Sequence, residues 1–194
     1  MKKHAANILT SSRIVLAPVF FVLFGLAKTR PVFSVLLGLW VLYAVMEISD
    51  LFDGMVARRT GNVSDIGKLL DPFADVVARL TYFLAFVVAG ILPAWIFLLI
   101  MYRELGILFL RMILSRHGFA MGARAGGKLK SVFYSVSTFM GLAVFSWPHI
   151  FPALGWLSYL NVAMIVCFSV SIVLAYMSFI DYVRVAVSFF RQEK

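Results

Sequence analysis

Residues 32–52 read Val32-Phe-Ser-Val-Leu-Leu-Gly-Leu-Trp-Val-Leu-Tyr-Ala-Val-Met-Glu-Ile-Ser-Asp-Leu-Phe52, and no charged side chain appears before Glu47. A run of about 20 apolar residues matches the hydrocarbon thickness of a bilayer when helical. Reading outward, similar runs cover 13–27, 70–91, 93–114, 131–148 and 158–182. Together they predict an all-α integral membrane protein with six transmembrane helices in a single domain over residues 1–194. A short interfacial segment is expected ahead of the first span, with Asn7 to Ser12 beginning the helix there. Pro18 is expected to kink that helix. Lys2 and Lys3 precede an apolar run, but no small-residue cleavage pattern follows, so an uncleaved first span is expected.

Composition agrees. Of 194 residues, 62% are apolar and only 14% charged, and the mean hydropathy is +0.96. A soluble domain carries about 25% charged residues, so a water-soluble globule and a disordered chain are both excluded. One cysteine, Cys167, excludes a disulfide scaffold. The net charge is +9, from 18 Lys+Arg against nine Asp+Glu. Lys28 and Arg30 lie on one side of the predicted spans. Lys2, Lys3, Arg58, Arg59, Lys68, Arg116, Arg124, Lys128, Lys130, Arg184, Arg191 and Lys194 lie on the other. The positive-inside rule then puts both termini in the cytoplasm of a multi-pass cell-membrane protein. The basic excess is explained by topology and by attraction to anionic lipids. No nucleic-acid-binding motif is present.

The acids are concentrated. Five of nine fall within residues 50–75, in Asp50-Leu-Phe-Asp53-Gly54-Met-Val-Ala57-Arg58, then Asp65, Gly67, Asp71 and Asp75. Asp50 and Asp53 are spaced i,i+3 and Asp71 and Asp75 i,i+4, so each pair shares a helix face. One pair ends the second span and the other begins the third. Two antiparallel helices thereby aim four carboxylates at one point near the cytoplasmic interface. An Asp at mid-bilayer costs about 2.5–3.5 kcal/mol, so a group of four is not incidental. Carboxylates this close call for cations, and hard oxygen donors favour Mg²⁺, Mn²⁺ or Ca²⁺. A pair of such ions can clamp the attacking and leaving oxygens of a phosphoryl displacement. Gly54 and Gly67 allow backbone to approach a ligand closely, Ala57 keeps the next turn small, and Arg58 offers a planar fork for a diphosphate.

The pattern D-x2-D-G-x2-A-R-x8-G-x3-D-x3-D is matched at all eight defined positions. It resembles the signature of the CDP-alcohol phosphotransferases. The resemblance implies a membrane enzyme of phospholipid synthesis, working as a homodimer, whose active site faces the cytoplasm. Two divalent cations, Mg²⁺ foremost and Mn²⁺ as an alternative, serve transfer of a phosphatidyl group from CDP-diacylglycerol to an alcohol, releasing CMP. It implies Asp50, Asp53, Asp71 and Asp75 as metal ligands and Asp75 as the base at the acceptor hydroxyl. Gly54, Ala57, Arg58, Ser64 and Gly67 are implied in binding the CDP-lipid. Asn7-Ile-Leu-Thr10-Ser-Ser-Arg13 resembles the N-x2-T-x2-R segment of many members, in which Asn and Thr approach that lipid. Helix capping by Thr10, Ser11 or Ser12 is the simpler reading of the same residues.

The acceptor is read from the fourth span and the loop after it. Arg103-Glu104, Arg111 and Gly126-Gly127-Lys128-Leu129-Lys130-Ser131 resemble the phosphatidylglycerophosphate synthase branch, which implies glycerol-3-phosphate. At about 1.5 Å per residue, Arg111 is level with Asp75, while Arg103 and Glu104 are level with Arg79. Arg111, Lys128 and Lys130 are therefore expected at the acceptor phosphate, with Arg103 next to them. Arg79, Arg103 and Glu104 are expected to form an internal ion-pair cluster. Many synthases of that branch carry Lys directly after the last motif Asp, where this chain has Val76. Inositol phosphate, serine and aminoalcohol acceptors stay open. A metal-ion transporter is the alternative from another class, since intramembrane acids also mark ion paths. Against it, the acids cluster at one face and no inverted repeat is evident.

Overall fold

A computed structural model describes the backbone of residues 2–60, 65–119, 125–151 and 155–192, and the side chains of 11–50, 70–119, 129–151 and 155–191. Six helices follow one another: α1 (Lys2–Thr29), α2 (Phe33–Thr60), α3 (Asp65–Val88), α4 (Ala94–Arg116), α5 (Ala125–Ile150) and α6 (Leu157–Gln192). α1, α5 and α6 contain their apolar runs whole, α2 and α4 begin one residue inside theirs, and α3 ends at Val88, three residues short of the expected end of its run. The helix expected to begin within Asn7 to Ser12 begins earlier: α1 runs unbroken from Lys2, and Pro18 lies inside it.

Burial follows helical spacing. Arg13, Ala17, Phe20, Phe24 and Ala27 of α1 are buried, while Val15, Val19, Val22 and Leu26 are exposed. On α2, Leu36, Leu39, Tyr43 and Met46 face in, and Leu37, Val41, Val45 and Ile48 face out. Both faces are apolar, the reverse of a soluble amphipathic helix, and so wide an apolar exterior belongs to a protein bathed in lipid. Among the described residues, four helices are long and apolar enough to cross a membrane, with candidate spans Ser11–Thr29, Phe33–Asp50, Leu129–Ile150 and Leu157–Arg191. The other two, α3 and α4, are comparable in length at 24 and 23 residues, about 35 Å each. They differ by carrying Asp71, Asp75 and Arg79, and Arg103, Glu104 and Arg111, within the helix.

Contacts fix the bundle. α1 packs on α2 and α3, α5 packs on α6, and α4 lies against α3 and α6. Aromatic rings fill the centre, with Phe20 on Tyr82 at 4.7 Å and Phe83 on Phe168 at 5.1 Å, both edge to face. Between α3 and α4 the turn is tight, as Pro93 predicts: Gly90 takes φ 76° and the amide of Ile91 donates to the Phe86 carbonyl at 2.9 Å. After α4, Gly118 takes φ 75°. The amides of Gly118 and Phe119 donate to the carbonyls of Ser115 and Leu114, a Schellman closure that needs a left-handed residue. These two ends set the register of the charged residues on α3 and α4.

Candidate active site

A cavity of about 430 Å³ opens among α2, α3, α4, α5 and α6. Its walls follow helical arithmetic. From α3 come Asp71, Asp75 and Arg79, spaced i, i+4, i+8, and from α4 come Glu104, Leu108 and Arg111 with Arg103 beside them. Asp50 arrives from α2, Lys130 from α5, and Ser178 and Tyr182 from α6. Three of the four motif aspartates thus share one chamber with four basic side chains.

Pairing within this chamber accounts for most of the buried charge. Arg13, only 2% exposed, reaches from α1 to Asp50 and lies 3.6 Å from Asp75. Arg79 Nη2 is 2.9 Å from Asp75 Oδ2. One turn away, Glu104 takes a 2.6 Å contact from Arg103 and a 2.8 Å contact from Lys130. Arg103 also donates through Nε to the Ala175 carbonyl at 2.9 Å, tying α4 to α6. Lys130 and Arg79 both lie over the Tyr134 ring, at 4.9 and 5.8 Å. Arg111 donates to the Tyr182 hydroxyl at 2.9 Å and sits 5.4 Å from that ring. Buried charges are tolerated in an apolar bundle only when paired like this.

The expected internal cluster therefore changes in membership. Arg103 and Glu104 pair as predicted, but Arg79 pairs with Asp75. Lys130, expected to stand apart at the acceptor phosphate, is 6% exposed and binds Glu104. Its position at the start of α5 brings its ammonium to the only acid on α4, and an intramembrane cation takes the nearest carboxylate. It still lines the cavity, as do Arg103 and Arg111. Asn7, Thr10, Asp53, Gly54, Ala57, Arg58, Ser64, Gly67 and Lys128 lie outside the residues whose side chains are described.

Sequence reasoning left Arg13, Ser178 and Tyr182 without a role in this chamber and gave Arg79 a different partner. Arg79 had a usable signal, since i,i+4 from Asp75 is ion-pair spacing on a helix. Arg13 was noted only as the end of the amino-terminal pattern, yet an arginine one turn into a span must find an acid. Ser178 and Tyr182 gave no signal, because Ser and Tyr recur throughout the spans.

The donor chemistry at Asp50, Asp71 and Asp75 is carboxylate oxygen alone, which suits a hard divalent cation. Among the described residues, no three such groups already stand as ligands around one point.

The sequence has known relatives. The CDP-alcohol phosphatidyltransferase family matches residues 3–173. This chain belongs to that family. It is similar to the CDP-diacylglycerol–glycerol-3-phosphate 3-phosphatidyltransferase of Treponema pallidum (strain Nichols), at 36% identity over 150 residues, covering 74% of this chain and 67% of the relative. It is also similar to a protein of Mycobacterium tuberculosis (strain ATCC 25618 / H37Rv) named probable phosphatidylglycerophosphate synthase, at 33% identity over 180 residues, 93% of this chain and 80% of the relative. A shorter similarity, 40% over 76 residues, links 39% of the chain to 35% of a cardiolipin synthase (CMP-forming) of Streptomyces coelicolor. In this CDP-alcohol phosphatidyltransferase, the described part of the signature and the cavity coincide.

Proposed function

We propose that this chain transfers the phosphatidyl group of CDP-diacylglycerol to glycerol-3-phosphate, giving phosphatidylglycerophosphate and CMP. The observation that carries this reading is the division of the cavity wall: three motif aspartates on α2 and α3, and Arg103, Arg111 and Lys130 on α4 and α5. The first group suits a cation-bridged diphosphate, the second an anionic acceptor. The names of the Treponema and Mycobacterium relatives support the same acceptor.

Asp50, Asp53, Asp71 and Asp75 would hold two divalent cations, Mg²⁺ or Mn²⁺. When bound, these supply the charge that neutralises the diphosphate. The chain's own residues do the rest. Asp75 takes the proton of the acceptor hydroxyl, whose oxygen bonds the lipid-side phosphorus as the bond to CMP breaks. Arg79 and Arg13 fix the direction of Asp75. Asn7, Thr10, Gly54, Ala57, Arg58, Ser64 and Gly67 hold the cytidine diphosphate part, and Arg111, Lys128, Lys130 and Arg103 hold the acceptor phosphate. Lys130 also makes its contact with Glu104, so that contact orients its ammonium.

The reading includes six membrane crossings, α3 and α4 among them, with both termini and the cavity mouth on the cytoplasmic side of the cell membrane. Support comes from the basic residues gathered on that side. Acyl chains then remain in the bilayer while polar substrates enter from the cytoplasm. A homodimer is part of the same reading. The similarity to a CMP-forming cardiolipin synthase favours one alternative, another acceptor within the family. Purified protein given CDP-diacylglycerol and a panel of alcohols decides between them. Glycerol-3-phosphate as the sole efficient acceptor supports the proposal, and preference for inositol phosphate, serine or choline overturns it.

A further inference from the structure

Several serines of α5 and α6 are satisfied by their own helix. Ser137, Ser169 and Ser171 donate to the carbonyl four residues back, at 2.7, 2.8 and 2.7 Å. This is how a hydroxyl is satisfied inside an apolar helix. Ser178 is on the same helix as two of them and is 5% exposed, yet its Oγ is buried with no hydrogen-bond partner. Of these four serines Ser178 lines the cavity, as does Ser131 at the start of α5. A buried, unpartnered hydroxyl is costly unless a bound molecule supplies its partner. Its neighbours show what that something faces. Ala175, Ser178 and Tyr182 are spaced i, i+3, i+7 and share one face of α6. Ala175 receives Arg103 at one end of that face and Tyr182 receives Arg111 at the other. Ser178 therefore lies along the helix between the residues that receive the two guanidinium groups, about one helical turn (roughly 6 Å) from Tyr182.

We infer that Ser178 is a specificity-determining contact, hydrogen-bonding the secondary hydroxyl of a polyol phosphate whose phosphate is held at Arg111. This rests on the function proposed above and adds to it a reason why a polyol is chosen over a simpler alcohol phosphate. Arg111 meets α6 at Tyr182, one turn from Ser178 in the same cavity, so a phosphate held at Arg111 leaves Ser178 within the reach of the adjoining carbon chain. A site built to bond a hydroxyl rejects an analogue without it, because its own polar group is then left unpaired.

The test compares glycerol-3-phosphate with 3-hydroxypropyl phosphate, which keeps the phosphate and the attacking hydroxyl but lacks the middle one. CMP release is measured with CDP-diacylglycerol for the full-length protein and for Ser178→Ala and Ser171→Ala, with thermal melting of each. The wild type is expected to favour glycerol-3-phosphate. In Ser178→Ala the ratio of the two kcat/KM values should fall by about tenfold, through loss on glycerol-3-phosphate alone. In Ser171→Ala the ratio should stay as in the wild type. An unchanged ratio in Ser178→Ala, an equal loss on both acceptors, or the same shift in Ser171→Ala overturns the assignment. Absence of CMP release from the wild type with either acceptor instead overturns the parent function, and the assignment with it.

Discussion

The α3–α4 pair and the α5–α6 pair are built from helices of comparable apolar character and solve helix association differently. Among the described residues a hydroxyl pair, Ser137 to Ser171 at 3.0 Å, joins α5 to α6, and the acidic and basic residues of these helices fall at the start of α5, Lys130 among them, and from Asp181 onward in α6. On α3 and α4 the charges stand within the helix, on the faces that line the cavity. Serine pairs of this kind contribute little, about 0.6 kcal/mol on average in a membrane protein. Ionised groups in the same setting cost several times more unless paired. A bundle needing only to hold together has the cheaper solution at hand in α5 and α6. The expense on α3 and α4 therefore points to chemistry, and the two pairs should respond differently to mutation.

The largest expected effect is on turnover. Asp75→Asn and Asp50→Asn should each lower CMP release by at least about a thousandfold, within the range that general acid–base groups contribute, while melting in detergent shows a folded protein. Full turnover by either variant breaks the comparison at its centre. Metal removal should be equally severe but reversible: chelation abolishes activity and added Mg²⁺ restores it, and activity indifferent to chelation contradicts the role given to the aspartates. Next comes stability. Glu104→Gln leaves Arg103 and Lys130 buried without their carboxylate, a loss of about 3–5 kcal/mol, visible as a large fall in Tm. Arg111→Ala should raise KM for glycerol-3-phosphate by about tenfold or more, with KM for CDP-diacylglycerol unchanged. The smallest effect belongs to the other pair. Ser171→Ala should cost under about 1 kcal/mol, and a loss comparable to Glu104→Gln would erase the distinction between the two pairs.

Much of this was legible in the sequence because membrane burial leaves few ways to hide a charge. Each of the six described helices covers most or all of one predicted apolar run, and the i,i+4 spacing of Asp71 and Asp75 forecasts their shared face. The amino-terminal segment was harder to read, since a polar start such as residues 2–12 can be an interfacial piece or the first turns of a longer helix. Periodicity alone does not separate the two. Partner choice among charges was the other gap. Arg13 and Asp50 are 37 residues apart, and only the packing of α1 against α2 and α3 brings that arginine to both aspartates. Lys130 illustrates the same point, because its pairing depends on how close α5 starts to Glu104. Ser178 could not be read at all, as nothing in sequence separates it from the serines that satisfy themselves on their own helix.

The central claim, that the charged faces of α3 and α4 form a phosphatidyl-transfer site, is tested most directly by CMP release. Purified protein with CDP-diacylglycerol should release CMP only when Mg²⁺ and glycerol-3-phosphate are both present, and Asp75→Asn should release none. Metal flux into liposomes without any CMP release would contradict the account and make these charges an ion path.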